Sequence, residues 1–170
     1  MFVYHAIDPN DGLFCHNISI NNGRITAVAF ARFIRPEWDG MRSPYEVFTH
    51  EKEKEDIFEK IRKSEFENCP PRLGSIYTFP DNETAVCANK RWWNGRRVIL
   101  EASVVHANRI GQFDSRYLDA TRENWEASAR AYWSGKFSEQ PFLEVLIEGV
   151  IQLSGWEPYG RLFGGIGASR

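Results

Sequence analysis

The chain has 170 residues, 42% of them hydrophobic and 14% aromatic, with 21 basic and 23 acidic side chains for a formal net charge of −2. That length fits one domain with a real core, and six Trp, six Tyr and twelve Phe exclude a disordered chain. The near-neutral balance excludes a global basic field for holding nucleic acid by counterion release, leaving only a local patch, Lys90, Arg91, Arg96 and Arg97 interleaved with Trp92 and Trp93.

In chain order, residues 2–7 form a strand, ended by the turn cluster Asp8-Pro9-Asn10-Asp11-Gly12. Asn21-Asn22-Gly23 is a second turn. Residues 24–34 are β-branched early and Ala-rich late, which leaves their state open until Pro36 ends them. Ser43-Pro44-Tyr45-Glu46 starts a helix, with Ser43 as cap, Pro44 in the first position and Glu46 closing a capping box. The charged run 51–56 is a solvated helix face or a break between two helices. Ile57, Phe58 and Ile61 follow at helical spacing, up to Asn68-Cys69-Pro70-Pro71.

Residues 73–79 read as a strand stopped by Pro80-Asp81-Asn82, and residues 83–93 as a helix with Ala85, Ala88 and Trp92 on one side. After Asn94-Gly95 comes a strand over 97–105, then a short one over 112–118. Residues 122–133 make an aromatic helix with Trp125, Ala129 and Tyr132 or Trp133 inward, and residues 142–153 a long last strand. Residues 155–170 are a Gly-rich tail, with Gly160, Gly164, Gly165 and Gly167 after the last strand rather than in a phosphate loop. The order implies an α+β fold in one domain, residues 1–170, and disfavours the doubly wound nucleotide folds.

Cys15, Cys69 and Cys87 lack a CxxC pair, so neither a disulfide framework nor a zinc site is expected. Taken as strand neighbours, Cys15 and His16 would point to opposite faces and could not share a metal. No stretch approaches the ~20 apolar residues of a membrane helix, and the opening residues do not read as a secretory signal. A cytoplasmic protein without a membrane partner is the expectation. Gly-x-Ser-x-Gly and His-Glu-x-x-His are absent.

Three strands carry polar residues in apolar surroundings: Val3-Tyr4-His5, Arg72-Leu-Gly-Ser75-Ile-Tyr77-Thr-Phe79, and Phe142-Leu-Glu144-Val-Leu-Ile-Glu148-Gly149. In this order they resemble the ADP-ribosyltransferase fold family. One branch is marked by His, Tyr and Glu on three core strands, another by Arg, a Ser-bearing strand and a Glu leading an apolar strand. The resemblance implies NAD as substrate and transfer of ADP-ribose to a macromolecular acceptor, protein or nucleic acid. It makes Glu144 the catalytic carboxylate. It also gives His5 a ribose hydroxyl, Arg72 the pyrophosphate, Tyr77 the nicotinamide ring, and Ser75 the bracing of Glu144. The acceptor-selecting Glu of the toxin branch would fall on Phe142, which implies an acceptor other than protein arginine.

The chemistry alone also suits a carboxylate. Cleaving a nicotinamide–ribose bond passes through an oxocarbenium-like state, which a nearby anion stabilises. Glu144 and Glu148 share strand parity, so alternation does not separate them. Glu148-Gly149 reads as a kink or bulge, which favours Glu144. Two other functions fit: a binding module of the same fold without chemistry, and a nucleic-acid-binding protein using residues 90–97 and their tryptophans.

Overall fold

The computed structural model describes residues 1–161. The fold is α+β: among the described residues, six α-helices pack around one sheet whose five strands all pair antiparallel. The strands are β1 (Phe2–Ile7), β2 (Arg24–Thr26), β3 (Ile76–Thr78), β4 (Val98–Asp114) and β5 (Leu143–Leu153). The helices are α1 (Gly12–Ile20), α2 (Val28–Ile34), α3 (Pro44–Phe48), α4 (Lys52–Glu65), α5 (Asn82–Trp93) and α6 (Trp125–Trp133). No helix among the described residues is long and apolar enough to cross a membrane.

β5 is the spine. It pairs with β4 along one edge, and with β3 and β2 in succession along the other. β1 lies on the far side of β4. Phe79, just after β3, exchanges two backbone hydrogen bonds with Tyr4 of β1, at 2.9 and 2.8 Å. The sheet therefore curls until its two ends touch. This brings His5, Tyr77 and Glu144, from three distant parts of the chain, to one end of the fold.

Alternation along β5 explains its two faces. Val145, Ile147, Ile151 and Leu153 pack with Val3, Ile7, Leu100 and Phe30 in the larger core. Leu146 points the other way, into an aromatic core of Phe58, Phe113, Tyr132 and Trp133 under α4 and α6. Glu144 and Glu148 flank Leu146 on that second face, and both are buried, at 4% and 2% exposure.

The turn-and-cap reading holds well for the later helices. Ser43 and Glu46 make both bonds of the capping box. Asp81 caps α5, accepting from the Thr84 N–H at 2.7 Å, and Asn94 closes that helix in the left-handed region at φ 52°. The charged run 51–56 holds both a break and a helix face: α3 ends at Phe48 and α4 begins at Lys52.

Several expectations need correction. Residues 12–20 form a helix, capped by Asp11 accepting from the Phe14 N–H at 3.0 Å. Cys15 and His16 therefore lie on a helix, not a strand. Residues 24–34 divide into β2 and α2. The strands expected over 97–105 and 112–118 are one 17-residue strand, β4, followed by a 3-10 turn over Ser115–Asp119. Two register shifts, at Val104/His106 and Ala107/Arg109, carry β4 through its polar middle opposite Gly149. A Cβ on Gly149 would meet the His106 carbonyl oxygen at 2.0 Å, so the close approach requires glycine there. The tail glycines Gly164, Gly165 and Gly167 lie outside the described residues.

Candidate active site

β5 and β3 build the floor of a cleft of about 480 Å³. Glu144 sits one residue into β5. Tyr77 pairs with Leu146 in the register, so its ring shares the face of Glu144. His5 and Ala6 of β1 line the cleft from one side and Trp92 and Trp93 of α5 from another, while Tyr45 and Phe48 of α3 line it with Glu55 of α4. Four of the five residues singled out in the sequence, His5, Arg72, Tyr77 and Glu144, thus line one cavity.

The fifth, Ser75, does not line it. Its hydroxyl donates to the Pro71 carbonyl at 2.7 Å and braces the loop ahead of β3. The partners of Glu144 are Arg72 and Tyr132. Glu144 Oε1 accepts from Arg72 Nη1 at 2.6 Å and from the Tyr132 hydroxyl at 2.5 Å. Among the described residues no hydrogen bond involves Oε2, which leaves that oxygen for the cleft.

Arg72 opens the turn over residues 72–74 that follows Pro70-Pro71 and leads into β3, which brings it to the carboxylate. Its Nε and Nη2 bond Glu55 at 3.1 and 3.3 Å, and Nη1 bonds both Glu144 and, at 3.1 Å, the Tyr132 oxygen. Four of the five N–H groups that a guanidinium offers are therefore engaged within the protein. The expectation that Arg72 meets a pyrophosphate needs revision on this ground: its donors are spent on two carboxylates. Burial works against its charge, but Tyr77, Tyr132, Glu144 and Glu55 outweigh it and hold the guanidinium well above its ordinary range.

The two tyrosines are held neutral. Burial, with Glu144 adding to it, raises both the Tyr77 and Tyr132 hydroxyls well above the phenol range against the pull of Arg72. The Tyr132 ring stacks on Phe113 at 4.8 Å and meets Phe58 edge-on at 5.8 Å, so its hydroxyl is delivered by a rigid aromatic cluster. The Tyr77 ring lies 4.3 Å from that of Tyr45 and 5.3 Å from the Arg72 guanidinium.

His5 Nδ1 lies 2.7 Å from the Tyr77 carbonyl oxygen. A carbonyl only accepts, so Nδ1 carries the proton and Nε2 keeps its lone pair. Burial lowers the His5 pKa, the bond to Tyr77 opposes that, and Arg97 lowers it further, with a net fall. The ring is a neutral acceptor at the cleft wall.

Glu148 belongs to a different cavity, of about 540 Å³, lined by Arg32, Glu46, Glu59, Arg62 and Arg109 among others. Asn108 donates to its Oε1 at 3.1 Å. Arg109 Nε lies 3.0 Å from Oε2 without hydrogen-bond alignment. The two cavities meet along Glu55, Arg72 and Leu73. Among the described residues, no group of three or more His, Cys, Asp or Glu is placed to hold a metal ion.

Tyr132 and Glu55 escaped the sequence reading as site residues. Tyr132 stood there only as a core position of an aromatic helix, and Glu55 as one charge in a run of six.

No curated protein matches the chain. Residues 45–155 match a family described as "Protein of unknown function (DUF2441)", a span that takes in Glu55, Arg72, Tyr77, Tyr132 and Glu144 but not His5. With well over half of its length inside that match, the chain belongs to this family.

Proposed function

We propose that the first cleft binds the nicotinamide riboside end of NAD, and that Glu144 promotes transfer of ADP-ribose to a macromolecular acceptor, protein or nucleic acid. The observation that carries this reading is the convergence of His5, Tyr77 and Glu144, from three separate strands, on one aromatic cleft. The resemblance to the ADP-ribosyltransferase family, drawn from those same residues, points the same way.

The electrostatics of the cleft suit a cationic ring. Glu55, Arg72 and Glu144 together carry one net negative charge, and Tyr45 and Tyr77 supply aromatic faces beside it. A pyridinium is stabilised by both. When the glycosidic C–N bond breaks, its electron pair neutralises the pyridinium nitrogen and nicotinamide leaves uncharged. The positive charge moves onto C1′ and the ring oxygen of the ribose. Glu144 Oε2 faces that developing charge, while Arg72 and Tyr132 fix the carboxylate through Oε1 and need not reorganise. The acceptor then attacks C1′ and releases a proton to solvent. His5 Nε2, a bare lone pair, accepts from a ribose hydroxyl. Arg72 positions Glu144 instead of meeting phosphate, and Arg91 and Lys54 are the remaining cations of the cleft wall.

The test is release of nicotinamide from labelled NAD, with and without cell lysate. Glu144→Gln keeps the shape of the side chain and should slow release by on the order of 10²–10³-fold. Glu148→Gln, in the other cavity, should leave the rate unchanged. Full activity in Glu144→Gln would end this mechanism.

A second reading, a binding module that has lost chemistry, is favoured by one observation: the Glu144 side chain is only 5% exposed and closed under Arg72. That module would show calorimetric binding of NAD or of another ligand without nicotinamide release.

A further inference from the structure

The end of α5, the turn after it and the Ser115–Asp119 turn form one cationic and aromatic rim beside the cleft. Arg91 and Arg116 both lie over the Phe142 ring, at 5.4 and 5.9 Å. Trp92 meets the edge of the same ring at 5.2 Å and remains 41% exposed. Arg97 lies over Trp93 at 5.4 Å, and Arg96 Nε donates to the Trp93 carbonyl at 3.2 Å. Lys90 is exposed on the last turn of α5. Arg91, Trp92 and Trp93 continue into the cleft wall.

Charge on this rim is only partly cancelled locally. Among the described residues, the carboxylates paired with these five cations are Asp119, on Arg91 at 2.8 Å, and Asp8, on Arg97 at 3.4 Å. Five cations against two acids leave a positive patch on a chain whose formal net charge is −2. An acidic partner of any kind would meet that charge. The half-exposed indole among the cations adds something that an acidic peptide does not use: open aromatic surface beside the charges. Alternating cations and aromatic rings is the chemistry that holds single strands, with phosphates on Lys and Arg and bases on the rings.

We propose that this rim binds single-stranded nucleic acid, with Trp92 stacking a base and Lys90, Arg91, Arg96 and Arg116 meeting phosphates. A strand held there runs to the mouth of the cleft. That it is also the acceptor of ADP-ribose rests on the transferase reading; that it binds does not.

The experiment contains no NAD. Fluorescence anisotropy of the full chain follows labelled DNA and RNA strands of about 12 nucleotides, roughly one to three binding sites of this kind, beside a duplex and a polyglutamate peptide of equal length. Single strands should bind best, and a preference between DNA and RNA names the source. Affinity should fall with salt, with a log–log slope of about −0.7 per phosphate contacted. Lys90→Glu with Arg96→Glu, both exposed positions, should flatten that slope. Trp92→Ala should weaken binding on the order of tenfold while leaving the slope in place, and Trp92→Phe should restore most of it. Polyglutamate binding as tight as the strands, with no effect of Trp92→Ala, would overturn the proposal in favour of an acidic protein segment. Absence of strand binding at low salt would overturn it outright. Strand binding here, with no nicotinamide release in the separate labelled-NAD test, would refute only the transferase reading.

Discussion

Glu144 and Glu148 lie on the same strand and the same face, four residues apart and almost equally buried, yet their surroundings differ throughout. Glu144 faces helices: Tyr132 comes from α6, and Arg72, itself held by Glu55 of α4, comes from the loop before β3. Its cation is 11% exposed. Glu148 faces its own sheet, with Asn108 and Arg109 both from β4, and its cation is 31% exposed. Strand alternation puts two carboxylates on one face. The elements packed over that face decide which becomes a fixed anion in an aromatic cleft and which becomes part of an ionic patch with Arg62 and Arg109.

Removing each cation in turn separates the two carboxylates most clearly. Arg72→Met leaves Glu55 and Glu144 buried without a counter-charge, and should cost about 3–5 kcal/mol of stability. Arg109→Met should cost less, about 1 kcal/mol, because its guanidinium is the more exposed of the two and Arg62, in the same cavity, still opposes the Glu148 charge. Urea unfolding of both variants measures the difference. Equal losses would show that the two carboxylates are held alike.

Removing one hydroxyl probes Glu144 alone. Tyr132→Phe keeps the ring between Phe113 and Phe58 and deletes the bond to Glu144 together with the weaker one accepted from Arg72. A hydrogen bond to a charged group is worth about 2 kcal/mol, and a loss of that size is expected in the same unfolding measurement. If the proposed chemistry holds, nicotinamide release should fall in kcat more than it changes in KM, because the carboxylate loses its alignment and the cleft keeps its shape. A silent Tyr132→Phe would leave Arg72 as the one group that holds Glu144.

Much of this was legible in the residues. The capping box at Ser43-Pro44-Tyr45-Glu46, the Asn94-Gly95 turn and the apolar run of β5 are local signals, and the structure realises each of them. His5, Tyr77 and Glu144 stood out because each is polar within an apolar strand. The failures have physical causes. α1 buries only Cys15 and Ile18 and exposes Leu13 and Ile20, so its apolar residues trace no clear helical stripe. β4 passes through His106-Ala107-Asn108-Arg109 on two register shifts, where alternation fails just as polarity rises. Tyr132 and Glu55 matter because of how α6 and α4 sit on the sheet, and no spacing within either helix encodes that. Arg72 was visible as a charge beside a strand. Its role as a bridge between two carboxylates depends on the turn over residues 72–74 and on where α4 and β5 place Glu55 and Glu144.

The smallest expected effect concerns protons. The first cleft holds a buried histidine, and no histidine lines the second among the described residues. His5 has its pKa lowered in the fold, mainly by burial, from an ordinary value of 6.5. Above 6.5 the ring is neutral in both folded and unfolded chains and adds no dependence on pH. Below 6.5 the unfolded chain takes up a proton that the folded chain refuses, so stability falls as pH falls, and the loss levels off once the folded ring also titrates. One such group contributes a slope of at most about 1.4 kcal/mol per pH unit. Asp114 has the opposite origin and a separate window. Burial raises its pKa, but bonds from Ser138, Phe142 and Arg116 outweigh that and lower it, so its contribution is present above 3.8 and lost only below that. Stability measured by urea unfolding at mildly acidic pH therefore isolates His5 from Asp114. His5→Gln keeps a donor for the Tyr77 carbonyl and removes the titration, so it should flatten the curve just below 6.5, whereas Glu148→Gln should leave that part unchanged. A curve that keeps its slope in His5→Gln would mean that the first cleft tolerates a charged imidazole. His5 would then no longer be a fixed acceptor for a ribose hydroxyl.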